Sequence, residues 1–319
     1  METTISSIKP ALEEPTIAAE RPLFGKFAVQ RVKEGRSASG ERFIVLKCSD
    51  NTGSINVYSR TSDWPSVPGR KIEYRDVAFT LVPDRYECLQ PVARPARDIV
   101  VPSRSPLELV PTEQIPRPND LERLQWLLHN LQIPAYQAFA DACFADAELT
   151  WLFATIPASR DCHHIEPGGL LRHSVTVAES VQQAAQRIVD STIMQEAATL
   201  VGLFHDIGKV LIASSRGSLL PYRARQHQSL LLYGVQQALY PLRNSNPDAH
   251  DAFWIIANAY EHKSTYDVPL AGLVQAMDQV SAQEAAIRVR HNATRGNART
   301  KRHWIPLSTT QQIWRPVTQ

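Results

Sequence analysis

An apolar run that carries three ionisable side chains near its end is the feature that most limits what this chain can fold into. Residues 197–210 read Ala-Ala-Thr-Leu-Val-Gly-Leu-Phe-His-Asp-Ile-Gly-Lys-Val. At about 100° per residue they predict one largely buried helix with His205, Asp206 and Lys209 in its interior. Charge in such a place needs a partner. Neighbouring residues diverge around a helix, yet their side chains can converge on an ion beside the axis, so His205 and Asp206 are candidate nitrogen and oxygen ligands. Lys209 lies one turn on, where its ammonium would meet a bound phosphate. Gly202 and Gly208 flank the pair and would let another element come close. A lone His-Asp dipeptide is more often a hydrogen-bonded core pair. Here it has company: His227, His262 in Tyr-Glu-His-Lys and Asp278 in Ala-Met-Asp-Gln-Val all fall on segments with helical apolar spacing.

The 319 residues suffice for two domains, and 43% apolar with 21% charged residues is ordinary for a soluble protein. No uncharged apolar run approaches the roughly 18–20 residues that would span a bilayer. Residues 1–21 hold four glutamates and no apolar signal core, so they read as a disordered leader and the chain as cytoplasmic. Cys48, Cys88, Cys143 and Cys162 form no close pair, which fits reduced thiols without chemistry. The net charge of +2 excludes little, but residues 288–302 carry six basic and no acidic side chains and are followed by Trp304 and Trp314. That pattern suits phosphate contacts and base stacking, or a solvated tail.

Residues 22–93 alternate in short runs broken by turn signals, including Asp50-Asn-Thr-Gly53. They predict about five strands and a small oligonucleotide-binding (OB) barrel. Arg31, Lys33, Arg36, Arg42, Phe43 and Tyr58 are candidate contacts for a nucleic-acid strand, with Phe43 as core the alternative. Residues 94–118 are proline-rich and read as a linker or a strap over a surface. From 119 to 290 the periodicity is helical, with helices expected at about 135–156, 169–190, 195–213, 223–240, 248–262 and 267–290. The expected fold class is thus a small all-β barrel followed by an all-α domain, with residues 291–319 as a basic tail.

Upstream of the His-Asp pair, His163-His164-Ile-Glu-Pro-Gly-Gly169-Leu-Leu-Arg172-His173 places a tight loop before a helix. Gly-Gly-Leu-Leu-x-His, His-Asp-x-Gly-Lys and a distal Asp together resemble the HD superfamily of metal-dependent phosphohydrolases. With the preceding barrel, the pattern resembles the YhaM-type 3′-to-5′ exoribonucleases, and the HD domains of TraI-like conjugative relaxases carry a similar loop. The resemblance implies His173, His205, Asp206 and Asp278 as ligands of one divalent ion. His227 and His262 match the additional histidines of two-metal members, or else contact phosphate; Glu261 stands where some relatives have a second histidine. Two imidazoles and two carboxylates suit Mn2+ first, with Fe, Ni, Co, Zn or Mg as alternatives.

Such an ion activates water for attack on phosphorus, with Asp206 and Lys209 as catalytic residues and no Ser or Cys nucleophile. His164, Arg172 and Arg223 would contact substrate. No Walker-type phosphate loop is present. The expected activity is a metal-dependent 3′-5′ exonuclease on single-stranded nucleic acid, RNA favoured over DNA. The alternatives are a nucleotide or cyclic-dinucleotide phosphohydrolase and a nucleic-acid-binding accessory of conjugation with a weak site. The expected partner is single-stranded nucleic acid; no membrane is involved, and homo-oligomerisation is open.

Overall fold

The computed structural model describes residues 4–13, 23–37, 39–64, 72–83, 89–96, 105–111, 115, 117, 119–159, 164–214, 227–264, 266–295, 302–306 and 312–316. The chain divides into two compact units, Met1–Leu121 with Asp141–Ala154, and Glu122–Ala140 with Thr155–Gln319.

In the first unit, strands β1 (Leu23–Arg36), β2 (Arg42–Asp50), β3 (Gly53–Arg60), β4 (Ile72–Pro83) and β5 (Leu89–Pro95) close a barrel in the order β1-β2-β3-β5-β4. The β3–β5 pair is parallel and the others are antiparallel, which is the five-stranded OB arrangement. Period-2 patterning sends Ile44, Leu46 and Cys48 into the core and leaves Phe43, Val45 and Lys47 half-buried on the other face. The register of β1 against β2 shifts between Arg31 and Lys33, leaving Val32 as an exposed bulge residue. The indole of Trp64 donates to Ser59 Oγ at 2.7 Å, and that hydroxyl donates to the Ala93 carbonyl, fixing the parallel seam.

The leader is not wholly disordered, contrary to the reading of residues 1–21. Ile5–Glu13 form helix α1, whose Ile5 and Ile8 are fully buried in the barrel core beside Phe27, Val57 and Phe79. The buried Asp50 carboxylate organises the contact: Oδ1 accepts from Thr52 N at 2.9 Å while Oδ2 accepts from Ile5 N at 3.0 Å. Thr52 Oγ1 accepts from Ser6 N, so the β2–β3 turn caps the orphan amides of the helix start. Within the proline-rich stretch, the described residues 105–111 pack against their neighbours. Leu107, Leu109 and Val110 are buried around the 3-10 turn Pro106–Leu109, and Asn51 N donates to Glu108 O at 2.7 Å.

Helices α2 (Asn119–His129), α3 (Pro134–Phe144) and α4 (Ala147–Thr155) are shared between the units, and Trp151 packs with Leu109, Ala28 and Ile72 on the barrel side. The single helix predicted over 135–156 breaks because Asp146 Oδ1 accepts from Glu148 N and Leu149 N, an N-cap that starts α4.

The second unit holds α5 (Gly169–Ile188), α6 (Thr192–Phe204), α7 (Ile207–Ala213), α8 (Leu231–Ser245), α9 (Pro247–Glu261) and α10 (Pro269–Arg295). Phe139, Phe204 and Phe253 form its aromatic centre, with ring centroids 4.8 and 6.1 Å from Phe139. Tyr136 donates to the Ala249 carbonyl at 2.8 Å, and the Glu196 carboxylate accepts from Gln132 N and Ile133 N. The segment read as a tail, 291–319, includes the end of α10 and two antiparallel strands, β6 (Arg302–Pro306) and β7 (Gln312–Pro316), that set Trp304 opposite Trp314. No helix among the described residues is long and apolar enough to cross a membrane.

Docking of α1 is directly testable. Ile8→Ala removes a fully buried side chain and is expected to cost about 2–4 kcal/mol in urea unfolding. Wild-type stability in this variant would show that the helix does not seal the barrel.

Candidate functional site

The helix predicted to run through His205 and Asp206 is interrupted there. Phe204 ends α6, His205 stays in the right-handed helical region, and Asp206 turns to φ −104°, ψ 10° before α7 begins at Ile207. Lys209 N then donates to Asp206 O at 2.9 Å, restarting the helix one residue later than an uninterrupted helix would place it. The break turns both side chains toward α5 and α10, where they meet His173 and Asp278.

His173 Nε2 lies 3.2 Å from His205 Nε2, 3.1 Å from Asp278 Oδ1 and 3.6 Å from Asp206 Oδ2. His205 Nε2 lies 3.4 Å from Asp206 Oδ2 and 3.5 Å from Asp278 Oδ1. Both imidazoles are fully buried and Asp206 is nearly so. The other ring nitrogens are engaged behind the cluster. His205 Nδ1 donates to the Gly202 carbonyl at 2.7 Å, and His173 Nδ1 meets Ser281 Oγ at 3.0 Å. A carbonyl only accepts, so the tautomer of His205 is set and its Nε2 is the atom presented to the cluster.

The second Asp206 oxygen faces elsewhere: Oδ1 lies 3.2 Å from His227 Nε2, while Oδ2 also pairs with Lys209 Nζ. Burial disfavours the charged form of all these groups. On Asp206 it is outweighed by His205, His227 and Lys209, and on Asp278 by His173 and His205, so both carboxyls are held well below their ordinary range. Burial also lowers His173, whereas in His205 the two carboxylates overcome it and carry the imidazole up to about 10. The two carboxylates thus favour positive charge among these side chains.

The donor set fits a divalent cation. An ion about 2.1 Å from each donor sets neighbouring donors roughly 3.0–3.5 Å apart, and His173 Nε2, His205 Nε2 and Asp278 Oδ1 stand 3.1–3.5 Å from one another. His173, His205 and Asp278 bring three donor atoms within 4.8 Å of one another, and Asp206 Oδ2 lies beside them, 3.6 Å from His173 Nε2 and 3.4 Å from His205 Nε2.

Of the other expected residues, His164 is buried with its ring centroid 5.4 Å from that of His173, and its backbone is left-handed at φ 45°. Its carbonyl accepts from Ala158 N at 3.0 Å. Arg172 is paired with Glu166 at 3.2 Å, and the same Glu166 oxygen lies 3.8 Å from His164 Nδ1. His262 is not drawn into the cluster: it is exposed at the end of α9, and its Nδ1 donates to the Asn258 carbonyl of its own helix. Arg223 lies outside the described residues. On the barrel, Tyr58 is exposed and meets Phe43 edge-on at 5.7 Å, with the Phe43 ring lying over Gly35. Phe43 is thus an outer-face residue rather than core. Arg36 pairs with Arg42 across the β1–β2 ladder, beside a pocket of about 270 Å³.

Sequence reasoning missed the supports. Tyr260 donates to Asp278 Oδ2 at 3.3 Å, and Glu261 accepts from Leu232 N at 2.8 Å, which answers what stands at the position of the expected second histidine. Ser281, which meets His173 Nδ1, was missed as well; its position at i+3 from Asp278 is a signal that could have found it.

Glycines permit the close approach. A Cβ on Gly208 would lie 2.1 Å from the His227 carbonyl oxygen, and one on Gly169 equally close to that of His164, whereas on Gly202 it would meet Val181 at 3.3 Å. Gly208→Ala is therefore expected to cost about 1–3 kcal/mol in thermal unfolding, as overpacking does, and Gly202→Ala distinctly less. Equal costs would mean that the His227 turn does not sit against α7.

Residues 107–215, about a third of the chain, match the TraI_2 family, described as putative helicase. The match covers His164, His173, His205, Asp206 and Lys209 and stops short of His227, Tyr260 and Asp278. No curated protein matches the chain, and no solved structure does. What the comparisons add is a likeness to a nucleic-acid-related family across the first half of the cluster.

Proposed function

We propose that this chain is a metal-dependent phosphodiesterase of the HD type that trims single-stranded nucleic acid from its 3′ end, RNA before DNA. The observation that carries the reading is the meeting of His173, His205, Asp206 and Asp278, residues scattered over more than a hundred positions, in one largely buried cluster. A divalent ion, Mn2+ first, would supply activated water and neutralise phosphate oxygens there. His173, His205 and Asp278 would hold it through Nε2, Nε2 and Oδ1. Asp206 would hold it through Oδ2 and turn Oδ1 toward His227, which is placed for a second ion or for a phosphate oxygen. Lys209, paired with Asp206, brings the nearest ammonium to charge developing on phosphorus. His164 stands against His173 and would contact the scissile group.

The barrel is assigned the grip. Phe43 and Tyr58 offer ring surface on strands β2 and β3, the usual OB face for oligonucleotides. Two arginines directly opposite each other, Arg36 and Arg42, are unfavourable in isolation and suit a phosphate. The polarity and the RNA preference rest on the likeness to YhaM-type exoribonucleases. The TraI_2 likeness favours nucleic acid over free nucleotides as substrate. A motor role is not assigned, because these 319 residues contain no Walker-type loop to bind a nucleoside triphosphate.

End-labelled single-stranded RNA and DNA incubated in Mn2+ should give a ladder shortening from the 3′ end. In Asp206→Ala the rate should fall by at least about two orders of magnitude, more than loss of a supporting hydrogen bond brings. Hydrolysis of mononucleotides alone would move the assignment to a small-molecule phosphohydrolase, and binding without turnover in any metal would move it to an accessory protein. Phe43→Ala and Tyr58→Ala should each weaken strand binding by about 1–3 kcal/mol in fluorescence anisotropy; unchanged affinity would remove the barrel from recognition.

A further inference from the structure

Tyr260 lies buried near the end of α9, its ring edge-on to His205 with centroids 6.0 Å apart. Its hydroxyl donates to Asp278 Oδ2 at 3.3 Å, on the far side of that carboxylate from the oxygen that meets His173 and His205. Gln228, the residue after His227 on the turn His227–Leu230, sets its side-chain amide beside the same hydroxyl. Beside it, Glu261 accepts from Leu232 N and anchors the start of α8 that follows this turn. The end of α9 thus joins the two parts of the cluster, the Asp278 side and the His227 side, although its histidine takes no part.

We propose that Tyr260 is a positioning residue that ties Asp278 to the His227 turn through Gln228 and so sets the affinity and geometry of the cation site. The proposal rests on reading the cluster as a divalent-cation site. A carboxylate can rotate about its Cβ–Cγ bond; a donor on Oδ2 holds Oδ1 toward the imidazoles before an ion arrives. Loss of such a supporting partner typically weakens metal binding by about 10–100-fold.

The test uses the full chain, stripped of metal and titrated with Mn2+ and separately with Zn2+ by calorimetry, with the paramagnetic resonance spectrum of bound Mn2+ as the readout of geometry. Tyr260→Phe keeps the ring and removes only the hydroxyl. The expected result is Mn2+ affinity about tenfold weaker, a changed spectrum and unaltered circular dichroism. Gln228→Leu, on the half-buried turn, should give a smaller loss in the same direction. Wild-type affinity and spectrum in Tyr260→Phe would overturn the positioning role while leaving the cation site intact. If Tyr260→Phe loses its fold, Gln228→Leu decides: weaker binding supports the network, and unchanged binding overturns it. If the wild-type chain takes up neither ion, the cation site fails and the positioning role fails with it.

Discussion

The constraint from which the second unit is built is the confinement of two carboxylates and two imidazoles in a helical core. Asp206 is 2% exposed and both histidines are fully buried. Taking each charge out of water costs several kcal/mol unless it is compensated on the spot. Lys209 pairs with Asp206, and the His205 imidazole, raised by the two carboxylates, stands against both. That balance has little margin: an arrangement that holds two anions open toward two nitrogen lone pairs is stable with a proton or a cation among them and strained with neither.

Bringing these side chains together requires backbones to approach closely, which explains the placement of glycine. Gly202 admits Ala178 and Val181 of α5, and Gly208 and Gly169 admit the carbonyls of His227 and His164. The supports then fix orientation rather than add ligands. The Gly202 carbonyl, Ser281, Tyr260 and the Asp206 break each settle which atom of a neighbouring ligand faces inward. In the barrel, Asp50 does comparable work by capping α1, so that a leader poor in helix formers is held by two amide bonds and two isoleucines.

Much of this was legible in the residues. Short apolar runs such as 42–49, bounded by turn signals including Asp-Asn-Thr-Gly, gave the barrel. His205 and Asp206 stood out because ionisable groups sat where apolar spacing demanded core, and the resemblance to the HD superfamily implied His173 and Asp278 beside them. The helix break at His205–Asp206 was hidden, since nothing in Leu-Phe-His-Asp-Ile forbids a continuous helix; tertiary pull from the cluster overrides propensity. The leader helix was hidden by its glutamates, although Ile5 and Ile8 at i, i+3 were its signal. Tyr260 left no local trace: its role depends on where α9 ends relative to α10. His262 was expected for the opposite reason, since likeness to two-metal proteins marked its position while the end of α9 leaves it exposed.

Most direct is anomalous scattering from crystals grown with Mn2+ and recorded at the metal edge. It should give a peak bounded by His173 Nε2, His205 Nε2, Asp278 Oδ1 and Asp206 Oδ2, with Tyr260 still on the remaining Asp278 oxygen. A cluster without any peak after soaking, its donors in the same places and bridged by protons alone, would contradict the assignment of this core as a catalytic cation site.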